Sequence, residues 1–249
     1  MDFITVDLVL GRWGQSLLRW SLLIIPMFVL LHVMKPKFLL KYKIRQIKEA
    51  KPRYLSELAR SVLVFLIYVI PTVVLMTVKK YTGYSTMYLD IAEYGYIYFV
   101  FSIFVFLFML ETTLYWIHYA QHKVKVMYST HEFHHRSVNT NPLTTYSTNF
   151  SETFFYMLPT LVILLIIPWH PAAYITFATI AIFHGGYIHS GYDFEIDLKT
   201  GKQRSFLSWH YSPTHHSLHH QKYNCNYGLY FTFWDRFNKT EDLSFDKNP

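Results

Sequence analysis

Four apolar stretches constrain this chain before anything else does. Ser16 to Met34 is broken only by Arg19, and Ser61 to Val78 carries no charge. Gly95 to Leu110 is also uncharged and keeps a helical pattern to about Ile117. Thr153 to His189 is too long for one crossing and is interrupted at Pro168, Trp169, His170 and Pro171. About 20 residues of helix, at roughly 1.5 Å each, cross the hydrocarbon of a bilayer. Three spans and a hairpin that enters and returns are therefore expected. Composition agrees, because 52% of the 249 residues are hydrophobic and only 16% are charged, which argues against an ordinary soluble globule. The single cysteine, Cys225, leaves no intrachain disulfide and no cysteine-based zinc site.

Charge sets an orientation. Between Lys35 and Arg60 stand nine Lys or Arg against two acids, Glu49 and Glu57. Such a segment belongs on the cytoplasmic side, and it doubles as a docking surface for an acidic partner. From there the second span leaves, the third returns, and the hairpin goes out and comes back. His118, His122, His184, His189 and all of residues 190–249 are then expected on the cytoplasmic face.

That placement gathers most of the 14 histidines, whose spacing is informative in its own right. His118 and His122 lie four apart at the mouth of the third span, so they share a helical face. HEFHH places His131, His134 and His135 together on one face, and Ser129 with Glu132 suggests a capping box that starts their helix. HHSLHH pairs His215 with His219 and His216 with His220, after a helix start at Ser212 and Pro213. Neutral imidazole is the commonest metal ligand and suits iron, zinc, copper or nickel. Crowding so many protonatable groups without a cation would be unfavourable. Nine or ten ligands exceed the needs of one tetrahedral zinc and match two ions of higher coordination.

His189 is counted as a ligand, whereas His32 and His170 read as structural. His184 is an ionisable group in an apolar helix and therefore a functional candidate. His210 is equally a supporting or a structural residue. Glu111, seven residues before His118 on the same face, could accept the second N–H of a ligand imidazole. Asn226 and Asp235 are expected to brace the last ligand helix or order water near the metals. A non-enzymatic alternative is a histidine-rich metal-binding or transport protein, although a transporter would place its ligands near the midplane.

YWIHYAQH, HEFHH, HSGYDF and HHSLHHQKYNCNYGLYFTFWDRF together resemble the sterol desaturase and fatty acid hydroxylase superfamily of membrane enzymes. YWIH and NYGLYFTFWDR look most like C-5 sterol desaturases. HSGYDF and NCN look more like C-4 methylsterol oxidases and cholesterol 25-hydroxylase. The resemblance implies an all-α integral membrane protein with four to five membrane-spanning or re-entrant helices under a cytosolic, helical, histidine-rich cap. Residues 1–94 would supply the N-terminal membrane helices and basic loop, and residues 95–249 the oxygenase domain. Two irons, with zinc as a substitute in purified protein, would be held by His118, His122, His131, His134, His135, His189, His216, His219 and His220. His215 would be a tenth ligand, with His184 as its rival. The expected activity is O2-dependent hydroxylation or desaturation of a sterol, fatty acyl or sphingolipid-type membrane lipid. Electrons would come from an external cytochrome b5 or ferredoxin, and the host would be a bacterial inner membrane or the endoplasmic reticulum. No nucleic-acid partner is expected.

Overall fold

A computed structural model describes residues 6–44, 46–47, 51–196 and 208–243. Arg45, Lys48 and Glu49 of the basic segment, and residues 197–207, lie outside the described residues. The chain is an all-α membrane protein. Helix α1 (Val6–Phe28) widens into a π turn over Val29–Met34, and together these give the first span. The second span, Tyr54–Thr82, is helix α2 (Tyr54–Val64), a tight turn at Ile67–Val69, and helix α3 (Ile70–Thr82). Pro71 explains the break, since its ring displaces the carbonyl four residues earlier and it has no N–H to give. Helix α4 (Gly95–Lys123) is the third span and runs unbroken for 29 residues.

Helices α6 (Phe150–Ile166) and α7 (Pro171–Ile188) form the expected hairpin. Its turn pairs with the α3–α4 connection: the Trp169 N–H donates to the Thr86 carbonyl, and the Tyr88 N–H to the Trp169 carbonyl. His170 caps α7 by accepting from the Ala172 N–H, so it is structural as expected. His32 is structural too, because its Nε2 donates to the Ser190 carbonyl. Leu18, Leu22, Ile97, Phe101 and Phe104 point outward and stay exposed, as side chains facing lipid would. Inward, Trp20, Ile24, Phe65, Leu143 and Ile182 form one buried cluster, and Phe106, Leu110, Leu114, Ile163, Leu164 and Phe177 another. Gly186 lets α1 approach α7, because Ile24 fills the space a Cβ would take.

At one end of this bundle sit helix α5 (Lys125–His135) and helix α8 (Pro213–Lys222), with the short α9 (Phe233–Phe237) beside them. Helix α5 begins four residues before the expected capping box. Val124 alone is extended between α4 and α5, so Ser129 falls inside the helix and its hydroxyl bonds back to the Val126 carbonyl. The basic segment packs against the same end, with the Ile44 N–H on the Gly191 carbonyl and Asn139 bonded to both backbone groups of Ile47.

A buried carboxylate fixes the turn after α5. Glu57, on α2, accepts from the Ser137 hydroxyl at 2.6 Å, the Asn141 amide at 2.8 Å and the Thr144 hydroxyl at 3.1 Å. Glu57→Ala should strand three buried donors and lower unfolding stability by about 2–4 kcal/mol, read as a drop in thermal midpoint in detergent. Glu57→Gln, which can still accept, should lose less.

Candidate metal centre

The end of α4, the end of α5, the end of α7 and the middle of α8 converge. They bring nine histidines into two groups: His118, His122, His131, His135 and His219 in one, and His134, His189, His216 and His220 in the other. The doubled histidines make this division possible. Neighbours on a helix point about 100° apart, so His134 and His135 face different groups, as do His219 and His220. Residues four apart instead share a group, as His131 does with His135 and His216 with His220. The expectation of one common face for His131, His134 and His135 is corrected accordingly. The groups adjoin, with the His135 and His220 rings 4.6 Å apart.

Outer hydrogen bonds determine which nitrogen faces inward. The Nδ1–H of His118 donates to the Tyr227 carbonyl at 2.8 Å, that of His189 to Gly185 at 2.8 Å, and that of His219 to Cys225 at 2.7 Å. His131 Nδ1 sits 2.5 Å from the Glu152 carboxylate. A carbonyl can only accept, so the first three rings carry their proton on Nδ1 and turn a bare Nε2 lone pair inward, and a carboxylate at Glu152 imposes the same tautomer on His131. Yet His118 and His131 hold their Nε2 atoms 3.0 Å apart, and His219 and His135 also 3.0 Å. His189 lies 2.8 Å from His216 and 3.2 Å from His134 by the same atoms.

Where both tautomers are fixed, as in His118 and His131, two lone pairs at that distance repel unless a cation binds them both. Ligands at right angles on a metal with bonds of about 2.1 Å are about 3.0 Å apart, which is the spacing found. The residues therefore fit a metal in each group. Burial, and then the crowding of neighbouring rings, holds the imidazoles of His131, His134, His135, His216, His219 and His220 well below the ordinary histidine range. All six are neutral at pH 7, the form that ligates.

His215 does not join either group. Its Nδ1 lies 3.1 Å from the Ser212 N–H and 3.0 Å from the Ser212 hydroxyl, so it closes the N-terminal box of α8 in the place glutamate usually takes. The expected pairing of His215 with His219 is thus replaced by a cap. His184 stays outside as well, donating from Nε2 to the Leu229 carbonyl at 2.7 Å and stacking on Tyr230. His210 pairs with Glu195 at 2.8 Å.

The expected supports act through the backbone. Glu111 does not reach His118; it accepts the N–H groups of Leu229 and Tyr230. Asp235 takes the preceding two amides, Tyr227 and Gly228, each at 2.8 Å. Two buried carboxylates therefore hold four consecutive N–H groups of the loop whose carbonyls orient His118 and His219. Gly228 is required there, since a Cβ would stand 2.7 Å from the Phe231 carbonyl oxygen and 2.9 Å from Asp235. Asn226, at φ +55°, ties α8 to the chain's last described segment by donating to the His215 and Asp242 carbonyls.

Two acids escaped the sequence reading. Glu152 opens an otherwise uncharged helix, where a first-turn acid reads as a partner of the helix dipole. Its real partner, His131, is 21 positions away. Asp193 of HSGYD accepts the Thr214 N–H at 3.0 Å and so ties the end of α7 to the start of α8. The D in that motif was the available signal.

Both groups face a cavity of about 640 Å³ that descends into the bundle. His118, His131, His134, His189 and His216 form its inner end, and Leu110, Leu114, Phe177 and Ile188 are among its apolar walls.

A fatty acid hydroxylase profile matches residues 101–240. Lathosterol oxidase of Mus musculus is 29% identical over 191 residues, covering 74% of this chain and 62% of that protein. A Delta(7)-sterol 5(6)-desaturase of Gibberella zeae is 26% identical over 194 residues, covering 76% and 58%. Cholesterol 25-hydroxylase of Mus musculus is 35% identical over 135 residues, covering 52% and 43%. The chain thus spans about three-fifths of the length of the first two. No solved structure matches.

Glu152→Ala should release the His131 ring and weaken metal retention 10- to 100-fold, measured by competition with a chelator. Glu152→Gln keeps an acceptor and should weaken it less; equal retention in both variants and wild type would show that the contact does not orient the ligand.

Proposed function

Because the chain belongs to the fatty acid hydroxylase family, we propose that it is a membrane-bound di-iron oxidoreductase that hydroxylates or desaturates a lipid. The observation that supports this best is the set of inward-facing, proton-free Nε2 atoms at the head of an apolar cavity. Two irons held there would supply O2-dependent removal of hydrogen from an unactivated C–H bond, a first step that hydroxylation and desaturation share.

The chain's own residues do the rest. His118, His122, His131, His135 and His219 would hold one ion, and His134, His189, His216 and His220 the other. Five and four ligands leave open positions in octahedral spheres. The cavity has a volume suited to a lipid-sized ligand. Its apolar walls exclude water and seat a hydrocarbon, so that a carbon of the lipid is brought to the inner end. Glu152 keeps the His131 proton on Nδ1, and the Glu111–Asp235 clamp keeps the His118 and His219 carbonyl partners in place.

The histidine end carries the exposed lysines 35, 37 and 41, and the positive-inside rule puts it in the cytoplasm. The membrane is then a bacterial inner membrane or the endoplasmic reticulum. Electrons come from outside the chain, from a cytochrome b5 or ferredoxin type of donor that this basic surface attracts. A transport role is disfavoured, because the histidines crowd one end of the bundle rather than its middle.

Purified wild type should hold two irons per chain by elemental analysis, with zinc as a replacement after zinc-rich growth. His219→Ala and His220→Ala should each lose a different one, since they belong to different groups. Lipid mass spectrometry on expressing cells should show a product that has gained one oxygen or lost two hydrogens, absent in both variants. Metal-loaded wild type with the same lipid profile as the variants would remove the oxidoreductase reading. Changing Lys35, Lys37 and Lys41 to Glu should slow donor-coupled turnover about tenfold at low salt, with metal content unchanged; equal coupled rates would place the donor elsewhere.

A further inference from the structure

Arg19 stands two turns past Arg12 and is the one charge in the apolar run to Met34. It is half-buried and lines the cavity. Among the described residues no hydrogen bond or ion pair holds its guanidinium. An unpaired cation at that depth is unfavourable, and such residues characteristically serve function. The Tyr146 and Tyr174 side chains also line the cavity. The other charged wall residues are Arg12, Lys79 and Glu152, so three cations face one carboxylate, which is hydrogen-bonded to His131. The net charge on the cavity wall is therefore positive.

Depth can be read from helix packing. Helices α1 and α7 run in the same direction, since Ile24 meets Gly186 and, farther on, His32 bonds Ser190. Arg19 precedes Ile24 by five residues and His189 follows Gly186 by three. At about 1.5 Å of rise per residue, Arg19 lies about 12 Å along the bundle from the level of His189. A cation at a fixed depth below the histidine groups, in a cavity that joins the two, measures a distance along any bound molecule.

We propose that Arg19 anchors the anionic end of the lipid that this cavity binds, fixing which carbon of the chain reaches the histidine groups. The matching chemistry is a carboxylate, whose two oxygens accept from the guanidinium fork. Tyr146 and Tyr174 line the same cavity and could add hydroxyl donors. This deepens the lipid-oxidation reading and depends on it only for the fate of the chain; binding of the acid stands by itself.

The test uses full-length protein in detergent, both metal-free and iron-loaded, with a neutral fluorescent polyene lipid in the cavity. Oleate and methyl oleate are compared as displacing ligands. Wild type should prefer oleate by about tenfold, the size of a net charge-assisted hydrogen bond. Arg19→Leu should erase that preference while leaving methyl oleate affinity and metal content unchanged. Arg19→Lys should restore most of it, and Arg12→Leu should not alter it, which separates anchoring from a general loss of structure.

Equal affinity for acid and ester in wild type, no binding of either, or a preference that survives Arg19→Leu overturns the proposal. So does a preference that follows Arg12 instead. An acid preference without any oxidised product removes the oxidation reading and leaves this one standing. Oxidised product without an acid preference does the reverse.

Discussion

The site depends on buried imidazole lone pairs that outer hydrogen bonds turn towards one another, as in His118 and His131. Hydrogen bonds on the outer side of His118, His189 and His219 commit their protons to carbonyl groups, so bare nitrogen lone pairs meet at the centre. Burial keeps the rings there from acquiring protons, and separations of 2.8–3.2 Å match neighbouring ligands on one metal. A cation held there would resolve the conflict and, in doing so, would tie α4, α5, α7 and α8 to one another. The second layer of the site serves to hold the rings facing inward against that repulsion.

Anions do much of this holding, and most do it indirectly. Among the described residues, only Glu152 touches a ring of the two histidine groups. Glu111 and Asp235 instead take four successive amides of the 227–230 loop, so that a ring is oriented by a carbonyl and the carbonyl by a carboxylate. Asp193 registers α8 against α7, and Glu57 secures the turn that follows α5. Glu57, Glu111, Asp193 and Asp235 each have both carboxylate oxygens engaged, which is the condition on which a buried carboxylate is tolerated, whereas Glu152 keeps one oxygen without a partner among the described residues.

The cavity makes the membrane part of the site. Its walls come from α1, α3, α4, α6 and α7, and its head is the histidine groups, so one continuous volume joins bilayer depth to the metal ligands. The first 94 residues therefore contribute to this space through α1 and α3. Arg19 belongs to that contribution, a residue from the N-terminal span acting on the same volume as histidines a hundred or more positions later.

Much was legible from sequence because it depends on short-range periodicity. The apolar runs gave the spans and the hairpin, since backbone polar groups in lipid leave helix as the local solution. Four-residue spacing gave the ligand pairs, and nine of the ten expected histidines do come together. The start of α8 was readable because Ser212 and Pro213 are local signals. The rest rests on partners distant in sequence. Whether His215 ligates or caps was settled by the hydroxyl and amide of Ser212 occupying its Nδ1, while the split of His134 from His135 needed two helices to arrive on opposite sides. Glu152 and Glu111 look alike in the chain, as lone acids in apolar helices. Only the fold decides that one meets an imidazole and the other a backbone loop, because a carboxylate's role is set by which donors the tertiary structure brings to it.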